Sequence, residues 1–285
     1  MTTRRFQTLI WRWYRSHGRH DLPWRKFPRS LPAGRQAGGR QAYRILVSEV
    51  MLQQTQVSRV LRKYPEFIRR FPTIVALKQA SLSSVLLAWQ GMGYNRRALY
   101  LKQIARIVLK THGGRMPHDP DELERLPGIG PGTAGAIAAF AFDRPVAFIE
   151  TNIRRVFIHH FFGRRRRISD AEILIKIQQT LPRRRIREWY YALMDYGALG
   201  LKGIPNPNRR STRHTHPTPF AGSNRELRGR ILAAAVHEPT RRERFLRRTD
   251  GVRPAGRRKL ERVLGGMVRD GLLEIRGELI ALPHG

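Results

Sequence analysis

Apolar residues return at helical spacing along most of the chain, and the pattern predicts an all-helical protein. Residues 4 to 17 carry Phe6, Leu9, Ile10, Trp13 and Tyr14 three and four apart with arginines between them, an amphipathic helix that packs on a later part of the fold. A second helix is expected over 43 to 62, apolar through most of its N-terminal half. Phe71-Pro-Thr opens another through Leu77, Ser81 to Trp89 makes the next, and a further one runs through Leu101, Ile104 and Val108. Asp119 starts a short helix with acids in its first turn, as the helix dipole favours. Beyond residue 150, helical patterns cover 151 to 163, 171 to 181 and 187 to 200.

The breaks are as informative as the helices. In Leu126-Pro-Gly-Ile-Gly-Pro-Gly-Thr two glycine-bearing turns bracket Ile129, so a helix ending near Arg125 can reverse into another starting at Thr133. This predicts a hairpin of helices over 122 to 142. At its mouth, backbone N–H groups of the second helix's first turn can meet a phosphate oxygen without sequence preference. Residues 28 to 42 repeat Gly-Arg-Gln-Ala and read as a flexible surface insertion with no assigned function. Residues 203 to 224, rich in Pro, Asn, Ser, Thr and Arg, read as a linker. Helical patterns at 225 to 237, 240 to 248 and 256 to 270, then two short strands about Arg276-Gly277, suggest a winged helix-turn-helix, either a second DNA contact or packing on the rest.

Charge narrows the partner. Lys plus Arg number 55 against 21 Asp plus Glu, a net +34 in a chain of 285 residues that is still 41% hydrophobic, so this is no disordered polycation. Counterion release draws such a surface to a polyanion. No stretch approaches 18 apolar residues and no signal peptide is expected ahead of the first helix, which leaves a cytoplasmic, nucleoid-associated protein and no membrane partner. Cysteine is absent, which excludes a disulfide, a thiolate nucleophile and a cysteine-ligated cluster. His214 and His216 stand beside prolines without a supporting acid, so they read as linker residues and no metal is expected.

Two acids stand in unusual company. Glu49 has Ile45, Leu46 and Leu52 as helical neighbours, and burial there would raise its pKa towards what a proton donor needs near neutrality. Glu150 ends the apolar run from Val146 and directly precedes a helical pattern, where the dipole alone would favour an acid. Tyr94 beside Arg96 and Arg97 could stack on a base while the arginines hold phosphates.

The string Leu126-Pro-Gly-x-Gly-x-x-Thr-Ala, followed about twenty residues later by an acid and Asn152-x-x-Arg-Val, resembles the helix-hairpin-helix (HhH-GPD) DNA glycosylases, the superfamily that includes endonuclease III and the adenine glycosylase MutY. Ser48-Glu-Val-Met-Leu-Gln-Gln-Thr-Gln-Val is similar to the catalytic-helix signature of the MutY branch. The resemblance spans roughly residues 6 to 200. It implies a two-lobed fold with a cleft, one lobe from 1 to 22 plus 151 to 202 and a six-helix lobe from 23 to 150, with the winged-helix-like part at 225 to 285. It also implies that the target nucleotide is flipped out of double-stranded DNA.

Carried over residue by residue, Glu49 protonates the departing base and helps position water, while Glu150 stabilises the cationic sugar, in the place where relatives carry Asp. Leu52 lies near the pocket, Gln54 is the wedge, and Tyr94, Trp24 and Arg25 line the catalytic region. Gly128, Ile129, Gly130, Gly132, Thr133, Arg96, Arg97 and Asn152 bind the DNA backbone. Gly132 stands where bifunctional relatives carry a Schiff-base lysine, which implies a monofunctional enzyme. After Met194-Asp-Tyr-Gly-Ala, relatives supply four cysteines to an iron-sulfur cluster, but this chain has Leu199-Gly-Leu-Lys-Gly-Ile-Pro-Asn-Pro-Asn and no cofactor is expected. The expected substrate is adenine opposite guanine or 8-oxoguanine in mismatched or damaged DNA, handled by a monomer. A thymine or uracil mismatch glycosylase on the same scaffold, or a non-catalytic DNA-binding regulator, are the alternatives, because the C-terminus lacks the Nudix-like pattern of MutY enzymes.

Overall fold

The computed structural model describes residues 1–26, 35–214, 219–237, 240–241 and 254–283. Among the described residues the fold is helical, with short strands near the C-terminus, and its contacts group the chain into two compact units. The first comprises Met1–Glu49 with Met116–His216, the second Val50–Arg115 with Pro217–Gly285.

In the first unit, α1 (Thr3–His17) is capped by the Thr2 hydroxyl and buries Phe6, Ile10 and Tyr14. Phe6 meets Phe157, Phe161 and Trp189 edge to face, with ring centroids 4.9 to 5.8 Å apart, which fixes α1 on the later helices. The hairpin consists of α7 (Pro120–Glu124) and α8 (Pro131–Phe142). The second hairpin helix starts at Pro131, two residues before the expected Thr133, because proline's missing N–H and fixed φ suit the first helical position. Then come α9 (Thr151–Phe161), α10 (Asp170–Thr180) with its Ser169/Glu172 capping box, and α11 (Ile186–Asp195), which a π turn extends through Gly200.

Helix α2 (Arg35–Leu52) passes from the first unit to the second between Glu49 and Val50. It corrects two expectations. Residues 35 to 42, read as part of a flexible insertion, form the first turns of this helix, while 27–34 lie outside the described residues. The expected single helix over 43 to 62 is broken: α2 stops at Leu52 and α3 (Val57–Arg70) begins four residues after Gln53. The cause is tertiary. Arg97 gathers the carbonyls of Val50, Met51 and Gln53 at 2.7 to 2.9 Å, which caps α2 and holds Gln54 in the left-handed region at φ 52°.

The rest of the second unit contains α4 (Ile74–Gln79), α5 (Leu82–Trp89) and α6 (Arg96–Thr111) around a core of Phe67, Leu77, Trp89, Leu101 and Ile104. Its C-terminal part has α12 (Asn224–His237), β1 (Thr240–Arg241), α13 (Pro254–Arg269), β2 (Glu274–Arg276) and β3 (Leu279–Ala281), with the strands antiparallel in the order β1-β3-β2. The hairpin about Arg276-Gly277 forms as expected. Of the helix expected over 240 to 248, residues 242–248 lie outside the described residues and 240–241 form β1.

Candidate active site

Glu49 projects from α2 where Ile45, Leu46 and Val50 are almost fully buried. Its side chain keeps some solvent access, yet the protein packed around it, followed by the negative charge of Glu150, pushes its pKa to about 8, with Arg25 opposing. Glu150 is the N-cap of α9, and its carboxylate accepts from the Asn152 N–H at 2.8 Å and from Asn152 Nδ2 at 3.0 Å. Burial raises this carboxyl too, but Asn152, the Ile153 amide and the Arg154 charge all favour its anion. The two acids therefore differ in their partners: burial leaves both raised, but Glu150 has hydrogen-bond donors and a cation that favour its anion, whereas Glu49 faces the charge of Glu150.

Close packing delivers Glu150 to this place. The run before it is anchored by the Tyr190 hydroxyl, which donates to the Val146 carbonyl at 2.6 Å, and by Phe148, whose ring lies tilted 4.2 Å from that of Tyr190. Phe148 fits only because residue 135 is glycine, since a Cβ there would lie 2.4 Å from the Phe148 Cβ. Gly132 has a similar role: a Cβ would come 2.9 Å from the Ile149 carbonyl.

The sequence reading missed Asp195. Its carboxylate, fully buried at the end of α11, takes Arg25 at 2.7 and 3.0 Å and the Arg19 amide and Nε at 2.7 Å. The Arg25 guanidinium lies 4.2 Å over the Tyr191 ring, whose buried hydroxyl has no hydrogen-bond partner among the described residues. Arg25, expected as a pocket residue, is thus held at its edge by Asp195 and on one face by Tyr191, and its charge opposes the raised pKa of Glu49. Trp24 is a core residue, 4% exposed. The signal for Asp195 was present, because an acid flanked by Leu193, Met194 and Tyr196 has the same greasy company as Glu49.

Several expected backbone-binding groups are consumed internally. Ile129 donates its N–H to Leu126 within the hairpin turn and buries its side chain, and Asn152 is spent on Glu150. Gly128 has φ 74°, which the turn requires. Gly130 caps α8 in extended conformation, with its carbonyl accepting from Ala134, and Gly132 and Thr133 follow Pro131 in the first turn.

In the second unit Arg97 is the largest correction. It was expected on phosphates, but it is 5% exposed and makes six hydrogen bonds, to the carbonyls of Val50, Met51, Gln53, Met92 and Gly93 and to Thr55 Oγ1. Burial lowers its pKa to about 10. It is a staple between the end of α2 and the turn before α6. Leu52 is half-buried at the last residue of α2, and Gln54 is exposed in the break. Tyr94 is exposed at φ 47°, and its hydroxyl accepts from Arg225 at 2.7 Å. Arg96 pairs with Asp270.

An iron-sulfur cluster does not fit the chain. The segment after α11 offers no thiolate and is closed by side chains instead: Arg155 donates to the Gly197 and Leu201 carbonyls at 3.1 and 2.5 Å, and buried Asn208 donates to Thr151 at 3.0 Å. Among the described residues no group of three or more His, Cys, Asp or Glu is placed to hold a metal ion, and no helix is long and apolar enough to cross a membrane.

A helical hairpin and a half-buried acid pair define a class, and comparison with known proteins gives the same one. Residues 47–183 match the model of the HhH-GPD superfamily of base excision DNA repair proteins. The chain is 36% identical over 270 residues to an adenine DNA glycosylase of Mycobacterium tuberculosis, covering 83% of this chain and 81% of that protein. It is 33% identical over 278 residues to the adenine DNA glycosylase of Mycolicibacterium smegmatis, covering 92% and 90%. A solved thermostable thymine-DNA glycosylase superposes with a TM-score of 0.59 at 23% identity over 72% of this chain and 90% of that one, which shows the shared fold. The chain belongs to the HhH-GPD superfamily of base excision DNA repair proteins, and its substrate is DNA.

Proposed function

We propose that this protein is a monofunctional adenine DNA glycosylase that acts as a monomer on adenine mispaired with guanine or 8-oxoguanine. The observation that carries this reading is the unequal acid pair, with Glu49 raised to about 8 by burial and by Glu150, and with Glu150, also raised by burial, accepting two hydrogen bonds from Asn152 that favour its anion. Once adenine is turned out of the duplex, Glu49 gives its proton to N7. The electrons of the C1′–N9 bond move to the base, and the sugar becomes cationic. The Glu150 carboxylate stabilises that cation, and water adds to C1′ and gives its proton to the Glu49 carboxylate, leaving free adenine, an abasic site and the enzyme restored. Gly132 offers no amine, so no Schiff base competes with water. The identity to adenine DNA glycosylases supports the choice of base.

Single-turnover base release from duplexes carrying A:8-oxoG, A:G, T:G or U:G tests this, with Glu49→Gln beside the wild type. Release is expected on the two adenine duplexes, with a loss of about 10²-fold or more in the variant. Inactivity on all four, release confined to T:G and U:G, or a variant as fast as wild type would overturn it.

A further inference from the structure

The segment that follows α11 carries no cysteine, yet it is fastened to α9 at both ends of that helix. Pro207–Arg210 forms a single 3₁₀ turn, started by the Asn206 side chain, which accepts from the Asn208 N–H at 3.1 Å. From this turn Asn208, 6% exposed, donates Nδ2 to the carbonyl of Thr151, the first residue of α9, at 3.0 Å. Arg210 holds the other end. It donates to the Ile158 carbonyl at 3.0 Å, one of those a helix leaves open as it ends, and to the carbonyl of Gly163 just beyond. Its charge there also suits the negative end of the helix dipole. The backbone closes the turn against the chain beyond α9: Ile168 donates to the Arg210 carbonyl and accepts from the Thr212 N–H, both at 3.0 Å.

What these contacts grip is the support of Glu150. Thr151 is the next residue after it, and Asn152, which gives its carboxylate two hydrogen bonds, is the one after that. The π turn presses on the same place, since a Cβ at Gly197 would lie 2.4 Å from the Asn152 carbonyl oxygen. A carboxylate that must face a developing cation tolerates little displacement: a misplacement of about 1 Å costs about 10²-fold in rate.

Plain packing would be served as well by an apolar residue at 208, which fills space but leaves the helix free to shift along its axis. A hydrogen bond is directional, and one near each end fixes the helix lengthwise. We propose that residues 206–212 are a positioning strap for the reaction, in which Asn208 and Arg210 fix α9 along its axis and so hold Glu150 against the sugar of the flipped nucleotide. Both act through the helix, and neither touches the reacting atoms. This rests on the acid-pair reading above, since a support governs the rate only if Glu150 takes part in the chemistry.

Single-turnover release of adenine from an A:8-oxoG duplex tests the strap on the full chain, with binding to a duplex bearing a tetrahydrofuran abasic analogue opposite 8-oxoguanine measured beside it. Asn208→Ala is expected to slow release by about tenfold or more, while binding and its salt dependence stay as in the wild type. The alkaline fall in rate should also move to lower pH, because a Glu150 that has drifted raises Glu49 less. In a Glu150→Gln background the same substitution should slow release little further, since the charge it positions is already gone, whereas an independent structural loss adds in full. Melting temperatures report folding. If Asn208→Ala does not fold, Arg210→Met, which keeps the stem of a half-buried side chain and sheds its hydrogen bonds, decides by the same measures. Release as fast as wild type, an undiminished loss in the Glu150→Gln background, or weaker binding with a shallower salt dependence at an unchanged rate would overturn the proposal, the last marking a phosphate contact. A Glu150→Gln variant as fast as wild type sinks the catalytic reading and the strap with it, while a slow one beside fast strap variants sinks the strap alone.

Discussion

Glu49 and Glu150 hold unequal claims on a proton. Burial raises both, but Glu150 has two hydrogen-bond donors from Asn152 and Glu49 faces the charge of Glu150 with Arg25 in opposition. One neutral acid and one anion are what cleavage through a cationic sugar requires.

Base release should therefore follow the Glu49 proton. The protonated form dominates below about pH 8, so the single-turnover rate is expected to fall as pH rises through about 8. The stability sign runs with it: the folded carboxyl binds its proton more tightly than the unfolded one, so folding loses stability from the unfolded pKa of 4.5 up to about 8. Glu49→Gln should melt several degrees higher than wild type at pH 8 and level with it at pH 4.5. A rate flat across pH 6.5 to 9, or a variant that melts lower at pH 8, would contradict the assignment.

Asp195 should matter to folding before it matters to chemistry. Burial alone would raise its carboxyl, but hydrogen bonds and charge from Arg25, joined by Arg19, pull it below the usual range. Its stabilisation is thus present above the unfolded carboxylate pKa and lost as pH falls through the lower folded value. Asp195→Asn strands a guanidinium that is 4% exposed, at a cost of about 3–5 kcal/mol by urea denaturation at pH 7. A cost under about 1 kcal/mol would show that Arg25 finds another partner.

Helix periods, caps and the glycine turn made most of the fold legible, because they depend on neighbours in sequence. Glu49 could be read for the same reason: its company at three and four residues is apolar. What escaped were decisions taken by distant side chains. Nothing in Gln53-Gln-Thr-Gln announces a helix break, since Arg97, more than forty residues on, withdraws the carbonyls that would continue the helix. Arg97 itself looked like a phosphate ligand because charge pattern does not reveal burial. The Asp195 and Arg25 pair spans 170 residues and has no local signature beyond an acid among apolar residues.

Gly132 ties the absence of a lysine to packing. A Cβ would press on the Ile149 carbonyl at 2.9 Å, directly ahead of Glu150, so any side chain must push the segment that carries the acid. Gly132→Ala is expected to lower stability by about 1–3 kcal/mol and to slow base release, as read by melting and single-turnover kinetics. Gly132→Lys should not gain efficient strand cleavage, because its amine would come with a displaced Glu150. Efficient borohydride trapping of the wild type on damaged DNA would refute the monofunctional reading outright.

The last test separates the two functions of Glu150. As N-cap, its carboxylate accepts the Asn152 amide, and the amide oxygen of glutamine can accept the same hydrogen bond without a charge. Glu150→Gln should therefore stay within about 1 kcal/mol of wild type in stability. If the anion stabilises the developing sugar cation, base release falls by about 10²-fold or more, the scale on which removal of one preorganised electrostatic partner acts. The substitution also removes the charge that helps raise Glu49, so the alkaline fall in rate should move to lower pH. Glu150→Asp, which keeps both the charge and a good cap, should recover much of the activity. A Gln variant as active as wild type would reduce Glu150 to a helix cap, and one that unfolds while the Asp variant is stable would show the charge to be structural.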